Sequence, residues 1–364
     1  MMNINEPENY NDGYYHVSKD ILDYPEAVIY IVWSRRGPGK TYSALRYPYH
    51  KFKTLYIKRT NKDISIICDY QGDLDRDPSP WAPINRDFGL NVRPRLFQDG
   101  LAAFYDAGED GSPAGAVINY VASLNAIKVI KGMDMSDVDW MIFDEFIPQP
   151  GEVVKHAEGE MLLNLYETVS RDRIKRGRQP LKLILFANAE EISTHITNSL
   201  EVVDTMADMQ ARQQHKYYDE KRGILFHHIS NEECPITEQE QKGMFRAMAG
   251  TAWAAKSYGG EFSSNDFSNI CDMSLKGMRC LYHLHYRKHN DAYIYLNSRT
   301  GMFYMTNVKG SFIQSYNLDR ENEQKRFFME HGIDLREKCV NDRFKFKRYS
   351  YYDLIINFTK FYNL

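Results

Sequence analysis

Residues 34–41 (SRRGPGKT) have the composition and spacing of a loop that binds phosphate groups. The preceding residues 27–33 (AVIYIVW) are apolar and β-branched and predict a buried strand, and a helix is predicted from residue 40 to about residue 47. Gly37 and Gly39 allow the main chain to bend around a phosphate with its N–H groups pointing inward. The N-terminus of the following helix adds positive partial charge to the same place.

The polar residues of this loop predict the binding of ATP together with Mg²⁺. Lys40 is placed to reach the β- and γ-phosphates, and the hydroxyl group of Thr41 is placed to bind Mg²⁺. Arg36 is a candidate for contact with phosphate or with a second subunit. Ser34 stands where the usual pattern has its first glycine, and the alternative interpretation is a tight turn before a helix.

An acidic pair, Asp144 and Glu145, follows a second apolar run at residues 138–143 (VDWMIF). The first carboxylate is expected to hold a Mg²⁺ shell, and the second to polarise a water molecule for attack on the γ-phosphate. The pair favours hydrolysis over phosphate transfer to a small metabolite; a helix cap is the alternative. Asn188 ends a third apolar run at 183–187 (LILFA) and is expected to orient that water or to sense the γ-phosphate, a turn residue being the alternative.

A cluster of arginines lies between the acidic pair and Asn188, at Arg171, Arg173, Arg176 and Arg178. Such a run is usually a solvated helix end. The functional interpretation is an arginine finger, in which a planar and permanently charged guanidinium group completes the phosphate site of a neighbouring subunit.

Short apolar strands alternate with helical segments up to about residue 229, which predicts an α/β domain with a mainly parallel sheet. Further strands are predicted at 54–58 and 116–121, a helix at 160–168, and an irregular insertion rich in Asp, Pro and Gly at 71–95. The phosphate loop, the acidic pair and the strand ending at Asn188 are together typical of the ASCE class of P-loop NTPases, which have an extra strand between the two motifs and a catalytic glutamate.

A smaller α+β domain is predicted in the last third of the chain. Its expected elements are antiparallel strands at 279–287, 292–297 and 302–306, followed by helices near 320–330 and 352–362. The predicted organisation is therefore a polar N-terminal arm at 1–23, a P-loop ATPase domain at 24–229, a linker at 230–258 with a helix at 237–248, and a C-terminal domain at 259–364.

Basic residues alternate with aromatic residues near the C-terminus, at residues 343–348. Arg343, Lys345 and Lys347 are candidates for contact with DNA phosphates, with RNA or with a protein partner, and an amphipathic edge strand is the alternative.

Several Cys and His residues of the same domain are chemically able to bind zinc, but their spacing matches no standard zinc finger. Cys280 and His283 are three positions apart, an odd spacing, and are therefore expected on opposite faces of one strand. Ordinary strand residues are the preferred interpretation.

Composition limits the remaining possibilities. The 364 residues have a formal net charge of −3, so a nucleic-acid site has to be a local patch or be built by assembly. The 5 scattered cysteines indicate a reducing compartment rather than a disulfide framework. The N-terminus is not signal-like and no run approaches about 18 apolar residues, so a cytoplasmic location and no membrane contact are predicted.

Several of these segments together resemble the DNA-packaging ATPases of small podoviruses with protein-capped linear genomes, the picovirus type, which are related to the large terminase ATPases. The likeness covers most of residues 25–190, in the family's order and with similar spacing, at 35–42 (RRGPGKTY), 56–59 (YIKR), 142–147 (IFDEFI), 162–173 (LLNLYETVSRDR) and 186–189 (FANA). A weaker likeness continues through 258–261 and 279–306. Ser34 and the longer insertion at 71–95 depart from the family's pattern.

The resemblance implies a ring motor, usually a pentamer, that works without a small terminase. Such rings assemble on the portal of an empty prohead and use ATP to drive double-stranded DNA inward; a structural RNA takes part in some relatives. The implied location is the cytoplasm of an infected bacterial cell and, transiently, the prohead.

Site residues carry over from the same resemblance. Lys40 and Thr41 fall on the Walker A positions, and Asp144 and Glu145 fall on the Walker B and catalytic glutamate positions. The remaining matches are Arg36 with the P-loop arginine, Arg171 with the trans-acting finger, Asn188 with the coupling position, and Lys131, or its rival Lys128, with a basic pore-loop residue that grips DNA.

For the C-terminal domain the resemblance implies an RNase H-like fold that lacks the nuclease carboxylates. Residues 279–285 (RCLYHLH), the strand that would carry the first carboxylate, contain no acid, so no nuclease activity is expected. Two alternatives to a motor are an ATP-dependent binding switch or chaperone-like protein that does not translocate DNA, and a structural prohead component with a vestigial nucleotide site. The intact set of Lys40, Thr41, Asp144 and Glu145 opposes the last of these.

Overall fold

The computed structural model describes residues 4, 8–69, 77–126, 130–260, 262 and 265–362. The chain forms two compact units. Unit 1 comprises Met1–Ile196 and Met209–Ser264, and unit 2 comprises Thr197–Asp208 and Asn265–Leu364. Within the described ranges, no helix combines the length and the apolar character needed to cross a membrane.

Unit 1 is built on one large mixed sheet, with nine strands in the described part of the chain. In chain order they are β1 Ile29–Ser34, β2 Lys53–Lys58, β3 Val92–Gln98, β4 Leu101–Ala107, β5 Pro113–Ser123, β6 Val138–Asp144, β7 Lys182–Asn188, β8 Lys216–Asp219 and β9 Ile224–His228. Their order across the sheet is β3-β4-β5-β2-β6-β7-β1-β9-β8. All neighbours from β5 to β9 in that order run parallel, and antiparallel strands close both edges. The predicted α/β fold with a mainly parallel sheet is confirmed.

The strand that precedes the phosphate loop lies inside the sheet, between β7 and β9. Strands in the interior of a parallel sheet are covered on both faces, which explains why β1 is a continuous apolar run rather than an alternating one. Strand β7 lies between β1 and β6, so the carboxyl ends of these three strands meet at one edge of the sheet. This order brings Ser34, Asp144 and Asn188 together.

The helices that begin before residue 264 agree in part with the sequence predictions. They are α1 Val17–Asp23, α2 Lys40–Arg46, α3 Asn61–Ile67, α4 Ala82–Phe88, α5 Glu158–Ser170, α6 His195–Ser199, α7 Val203–Ala211, α8 Glu238–Lys242, α9 Met244–Met248 and α10 Ala252–Gly259. The helix predicted at 237–248 is instead two short helices, because the backbone of Gly243 is not helical (φ −87°, ψ −135°). Residues 230–258, predicted to be a linker, fall within unit 1.

The insertion predicted to be irregular at 71–95 is ordered where the structure describes it. Its residues form α4 and the start of β3; the prediction of irregular structure is wrong for these parts. Pro83 lies in the first turn of α4, where proline loses no hydrogen bond, and Ile84 and Phe88 are buried. Pro94 lies in β3, the edge strand of the sheet, where a missing N–H is tolerated. Residues 70–76 lie outside the described ranges.

The N-terminal segment, predicted to be a polar arm, contains α1 and is joined to the sheet by a buried ionic cluster. Oδ2 of Asp20 lies 2.6 Å from Nδ1 of His227, and Nε2 of His227 lies 2.8 Å from Oε2 of Glu233. Nζ of Lys216 lies 2.8 Å from the other carboxylate oxygen of Asp20. Burial opposes charge on these groups, but their hydrogen bonds and mutual attraction outweigh it. The pKa of His227 is raised above its usual value, and the pKa values of Asp20 and Glu233 are lowered.

Unit 2 contains a second mixed sheet. Its strands are β10 Arg279–Tyr286, β11 Asn290–Asn297, β12 Met302–Thr306, β13 Gln314–Asn317 and β14 Phe344–Phe346, in the order β13-β10-β11-β12-β14. The predicted antiparallel strands β10, β11 and β12 are confirmed. Helices α11 Glu321–Phe327 and α12 Ile333–Val340 are joined by a π-helical turn, Phe328–Gly332, and α13 Tyr349–Ile356 and α14 Phe358–Phe361 follow β14. In β14, Phe344 and Phe346 are buried and Lys345 points away from the core, as the amphipathic edge strand predicts.

Strand β10 contains a bulge that changes the facing of Cys280 and His283. The register shifts between Cys280 and Tyr282, so that Cys280 pairs with Tyr295 and His283 pairs with Tyr293. Because the two tyrosines are two residues apart on β11, Cys280 and His283 share one face, and the expectation of opposite faces is wrong. Among the described residues, no group of three or more His, Cys, Asp or Glu side chains is arranged to hold a metal ion.

The buried cluster around His227 predicts a stability that depends on pH. A histidine whose pKa is raised on folding stabilises the protein below its unfolded pKa of about 6.5, and this contribution is lost as pH rises through the folded pKa. The carboxyl groups of Asp20 and Glu233, whose pKa values are lowered on folding, stabilise the folded protein above about pH 4. This contribution is lost as pH falls through their folded pKa values. We expect His227→Gln to lower the melting temperature more at pH 5.5–6 than at pH 8.5–9, as measured by calorimetry.

His50→Gln is a matched control for this experiment. His50 also faces a carboxylate, with Nε2 2.8 Å from Asp106 Oδ2, but its side chain is 59% exposed. A solvent-exposed pair of this kind contributes little to stability. Equal pH dependence of the two variants would contradict the assignment of the buried cluster.

Candidate functional site

The loop at 34–41 connects β1 to α2 and has the backbone shape expected of a phosphate-binding loop. Gly37 has a φ angle of +94° and Gly39 a φ angle of +90°, a region in which a side chain would be strained. Helix α2 begins immediately afterwards, at Lys40. The carbonyl of Pro38 accepts a hydrogen bond from the backbone N–H of Tyr15 at 2.9 Å, so the N-terminal segment supports the loop from outside.

Lys40 is folded into the cleft formed by this loop. Its Nζ donates to Oγ of Ser34 at 2.5 Å, to the carbonyl of Arg35 at 3.3 Å and to Oδ1 of Asn188 at 3.4 Å. Burial lowers the pKa of Lys40 to about 8, although the carboxylates of Asp144 and Glu145 act in the opposite direction. Ser34 therefore holds the lysine through its hydroxyl group, at the position where the usual pattern has a glycine.

Asp144, at the end of β6, joins three neighbouring groups through one carboxylate oxygen. Its Oδ2 accepts hydrogen bonds from Oγ1 of Thr41 at 3.0 Å, from the hydroxyl of Tyr56 at 2.8 Å and from Nζ of Lys58 at 3.3 Å. Burial and the charge of Asp144 raise the pKa of Tyr56 well above its usual value. Hydroxyl and carboxylate oxygens are ligands that Mg²⁺ accepts, so Thr41 and Asp144 fit a magnesium ion.

Glu145 projects from a backbone that is unusual for a residue with a side chain. Its φ angle is +60°, in the left-handed region, and its side chain is half exposed at 50%. Nη2 of Arg59 donates to the carbonyls of Glu145 (2.8 Å) and Phe146 (3.0 Å), while Nη1 of Arg59 pairs with the buried carboxylate of Glu158. Nζ of Lys58 lies 3.3 Å from Oε2 of Glu145. Arg59 thus fixes the strained turn, and Lys58 orients the carboxylate.

These groups line one open cleft of about 350 Å³, formed by residues 36–42 with Asp144, Glu145 and Asn188. Asn188 reaches it because β7 is paired with β1 in the register Ser34↔Asn188. Arg36 borders the cleft and donates to Oε1 of Gln149 at 3.0 Å. The structure therefore brings together every residue predicted for the nucleotide and the metal. The cleft can receive a polyphosphate beside the backbone of the loop and the ammonium of Lys40, and the half-exposed carboxylate of Glu145 can accept a proton from water.

Arg35 supports the base of the loop, a role that no sequence pattern predicts. Its side chain is 6% exposed, and Nη1 donates to the carbonyl of Arg36 at 2.8 Å and to Glu240 of α8 at 3.2 Å. Nη2 donates to the carbonyls of Pro235 at 3.2 Å and Cys234 at 3.4 Å. Residues 234–240 thus hold the loop, although sequence alone gives no sign of this long-range contact.

Lys58, Arg59 and Tyr56 were also missed as site residues, although the segment 56–59 (YIKR) carries a signal. It places polar groups at the carboxyl end of an apolar strand. Strand β2 pairs with β6 in the sheet, with Ile57 opposite Phe143. Charged residues at the end of a strand that neighbours an Asp–Glu pair are candidates for contact with that pair.

The four arginines have different roles in the structure. Arg173 is buried, and its guanidinium binds the carbonyls of Gln179 (2.6 Å) and Val138 (2.5 Å) and Oδ1 of Asp139 (2.5 Å). Arg178 binds the carbonyls of Ser136 and Asp137, just before β6, and the carboxylate of Asp139. Arg176 is exposed, as the solvated alternative predicts. Arg171 is exposed at the end of α5 and is not among the residues that line the described cleft of its own chain.

The residues predicted to contact DNA are placed differently from one another. Lys131 and Arg343 are exposed, whereas the ammonium of Lys345 binds Oδ1 of Asn269 at 2.9 Å and the carboxylate of Asp342. Nζ of Lys347 lies 3.9 Å from Oδ1 of Asp272. Lys128 lies outside the described residues.

Comparison with known proteins gives matches only among solved structures. No protein-family model matches the chain, and no curated protein matches it either. The Phi-28 gp11 DNA packaging motor is similar over 97% of this chain and 99% of that chain, with a TM-score of 0.60 and 17% identity. The bacteriophage Phi-29 viral genome packaging motor assembly is similar over 95% and 98%, with a TM-score of 0.60 and 16% identity.

The chain has the fold of the phage DNA-packaging motors. The match extends over both units, because nearly the whole length of each chain is covered. The resemblance predicted from the sequence segments between residues 25 and 190 is therefore confirmed in the fold.

Gly260 provides a test of how the phosphate loop is supported. Its φ angle is +66°, and a Cβ atom there would lie 2.8 Å from the nitrogen of Arg35 and 3.2 Å from the carbonyl carbon of Ser34. These are backbone atoms, so no side-chain rotation relieves the clash, and the loop and the segment around Gly260 must move apart. We expect Gly260→Ala to weaken the binding of a nucleoside triphosphate at least about tenfold in a calorimetric titration, because misplacing the loop by even an ångström is costly.

Gly250→Ala is the matched control. Gly250 has a similar φ angle of +81°, but a Cβ atom there meets nothing within 4 Å. Both variants carry a left-handed alanine, at a cost of about 1–2 kcal/mol in stability, but only one displaces the loop. Equal nucleotide affinity in the two variants would show that Gly260 does not shape the loop.

Proposed function

We propose that this protein is a viral genome-packaging motor ATPase that hydrolyses ATP at the interfaces of a ring and thereby translocates double-stranded DNA into a prohead. The observation that carries the proposal is the complete nucleotide cleft within a chain whose fold matches packaging motors over nearly its full length. Lys40, Thr41, Asp144, Glu145 and Asn188 meet in that cleft. No specific observation favours a binding switch or chaperone-like role.

In this proposal each residue of the cleft has a definite task in ATP hydrolysis. The N–H groups of the loop and Lys40 bind the β- and γ-phosphates, and Thr41 and Asp144 hold Mg²⁺, which when bound supplies positive charge beside these phosphates. Glu145 accepts a proton from the attacking water, and Asn188 orients that water or senses the γ-phosphate. Arg36 contacts phosphate or the adjacent subunit.

Arg171 is proposed to act on the nucleotide of the neighbouring subunit. It is exposed at the end of α5 and does not line the described cleft of its own chain, which supports a role in trans. A guanidinium group supplied by a neighbour makes hydrolysis wait for ring contact, so turnover is coupled to assembly.

We also propose the finer fold assignments. Assignment of unit 1 to the ASCE class is supported by strand β7 between the strand of the phosphate loop and the strand of the acidic pair. Assignment of unit 2 to a vestigial RNase H-like fold without nuclease activity is supported by its antiparallel strands β10 to β12, by β13 parallel to β10, and by the absence of an acid in β10. The domain boundaries proposed from the sequence are 24–229 and 259–364, with an arm at 1–23 and a linker at 230–258.

The proposed partners are double-stranded DNA, the portal of a prohead and further copies of this chain in a ring, with a pentamer as the expected number and a structural RNA as a partner to be tested. The motor works in the host cytoplasm and on the prohead. The exposed residues Lys131, Arg343 and Lys347 are the better-supported DNA contacts. Lys128 and Lys345 are the weaker candidates, because Lys128 lies outside the described residues and the ammonium of Lys345 is bound within the protein.

Steady-state ATPase activity with and without double-stranded DNA and proheads tests the proposal. We expect Glu145→Gln to lower turnover by about 10²–10⁴, and Arg171→Ala by about 10³–10⁵, because each removes one half of a shared site. A mixture of the two variants should recover activity, since some interfaces then join an intact Glu145 to an intact Arg171. The motor proposal fails if dilute monomer hydrolyses ATP equally well without DNA and Arg171→Ala has no effect.

The salt dependence of DNA binding distinguishes Arg343, which precedes β14, from Lys345 within it. Each phosphate contact contributes about −0.9 to the slope of log K against log salt. We expect Arg343→Ala to reduce the magnitude of that slope by about 1. Lys345→Ala should leave the slope unchanged, because the lysine ammonium is already bound within the protein. DNA binding is measured by fluorescence titration. If Lys345→Ala reduces the slope and Arg343→Ala does not, Lys345 rather than Arg343 contacts a DNA phosphate.

A further inference from the structure

Three arginines of one short segment hold the stretch that leads into β6. Nη2 of Arg171 donates to the carbonyl of Lys131 at 3.0 Å. Arg173 donates to the carbonyls of Val138 (2.5 Å) and Ser136 (3.3 Å), and Arg178 also binds the carbonyl of Ser136. We call residues 131–137 the β6 entry loop. Its contacts with these arginines involve main-chain oxygens, so they do not depend on the side chains of the loop.

The arginines at the two ends of the loop are held in contrasting ways. Arg173 is 4% exposed and has hydrogen-bond partners on several sides, so it fixes the end of the loop next to β6. Arg171 is exposed, and among the described residues only its Nη2 has a hydrogen-bond partner. The left-handed backbone of Asp172 (φ +45°) separates the two and turns the chain after α5. One N–H of Arg171 is thus bound to the β6 entry loop, while its other N–H groups have no hydrogen-bond partner among the described residues.

We propose that the hydrogen bond between Arg171 and the carbonyl of Lys131 couples the nucleotide of the neighbouring subunit to the β6 entry loop. This inference rests on the proposed function, in which Arg171 reaches the neighbour's phosphates and Lys131 contacts DNA. Arg171 then has two tasks: it completes a neighbouring site in trans, and it acts in cis as a positioning residue for its own loop.

The chemistry of a guanidinium group permits both tasks. It has five N–H donors in a rigid plane, so one donor can bind the Lys131 carbonyl while the others bind phosphate oxygens. When a phosphate of the neighbour's nucleotide attracts Arg171, the hydrogen bond to the Lys131 carbonyl is strengthened or weakened. When DNA displaces Lys131, the same hydrogen bond moves the guanidinium group of Arg171. Coupling of this kind is reciprocal, and typical values alter affinity by about 5–150-fold.

Hydrogen exchange of the β6 entry loop in nucleotide-free protein tests the contact in cis. The amide of Met133 donates to the carbonyl of Ile130 at 2.9 Å, and the amide of Val138 donates to the carbonyl of Met135 at 3.1 Å. We expect Arg171→Ala to speed exchange at Met133 by about tenfold and to leave Val138, which Arg173 holds, unchanged. Arg171→Lys, which keeps a charged donor, should restore part of the protection.

Arg176→Ala is the matched control, because Arg176 is exposed on the same segment and makes no side-chain hydrogen bond to the described residues. Its charge attracts Asp134 of the β6 entry loop, so this variant also measures how much of the effect is due to charge alone. A finger that acts only in trans predicts no change in nucleotide-free protein. Equal exchange at Met133 in Arg171→Ala and Arg176→Ala, with both variants folded by calorimetry, would therefore overturn the proposal.

A second measurement tests the link to the neighbour. In assembled rings, a slowly hydrolysed ATP analogue should change exchange at Met133 in the wild type and in Arg176→Ala, but not in Arg171→Ala. An equal response in all three would overturn the coupling. The first measurement needs neither hydrolysis nor assembly. Suppose that the wild-type protein does not hydrolyse ATP but that Arg171→Ala still speeds exchange at Met133. The proposed motor function would then fail, while the hydrogen bond between Arg171 and Lys131 would stand.

Discussion

One carboxylate oxygen, Oδ2 of Asp144, is the point on which the candidate site depends. It accepts hydrogen bonds from Thr41, the last residue of the phosphate loop, and from Tyr56 and Lys58 of β2. A buried carboxylate without such partners would be strongly disfavoured. Since the donors come from separate elements, the oxygen ties β2, β6 and α2 to one place, and the parallel sheet has to bring their ends together. The loop, the acidic pair and the lysine at the end of β2 are therefore one assembly.

Much of this assembly could be predicted from the sequence, because its signals are local. Each signal predicts the structure of its own segment: the apolar run at 27–33 predicts a strand, the glycines predict a tight loop, and the acidic pair predicts a strand end. The parallel sheet then brings these segments together. The supports of the loop could not be predicted in this way. Arg35 binds residues 234–240 and Gly260 packs on its backbone, and both contacts arise only when distant segments fold together.

Two errors have the same physical origin, in that composition and spacing do not fix backbone geometry. The insertion at 71–95 looked irregular because it is rich in Asp, Pro and Gly, yet Pro83 lies at the start of a helix and Pro94 on an edge strand, where proline is tolerated. Strict alternation predicts that Cys280 and His283 lie on opposite faces of the strand, but one bulge in β10 places them on the same face. Nothing in the sequence shows that these prolines lie in regular elements or that β10 contains a bulge.

The edge position of Pro94 has a consequence for how copies of this chain can meet. An open sheet edge exposes unpaired main-chain groups that another strand can extend, which leads to fibres rather than closed assemblies. At this margin of the described sheet, the row of groups is interrupted by Pro94, a residue without an N–H. Strand-by-strand growth from β3 is therefore disfavoured. At this margin, copies of the chain have to meet through side-chain surfaces, whose fixed geometry limits how many copies can join.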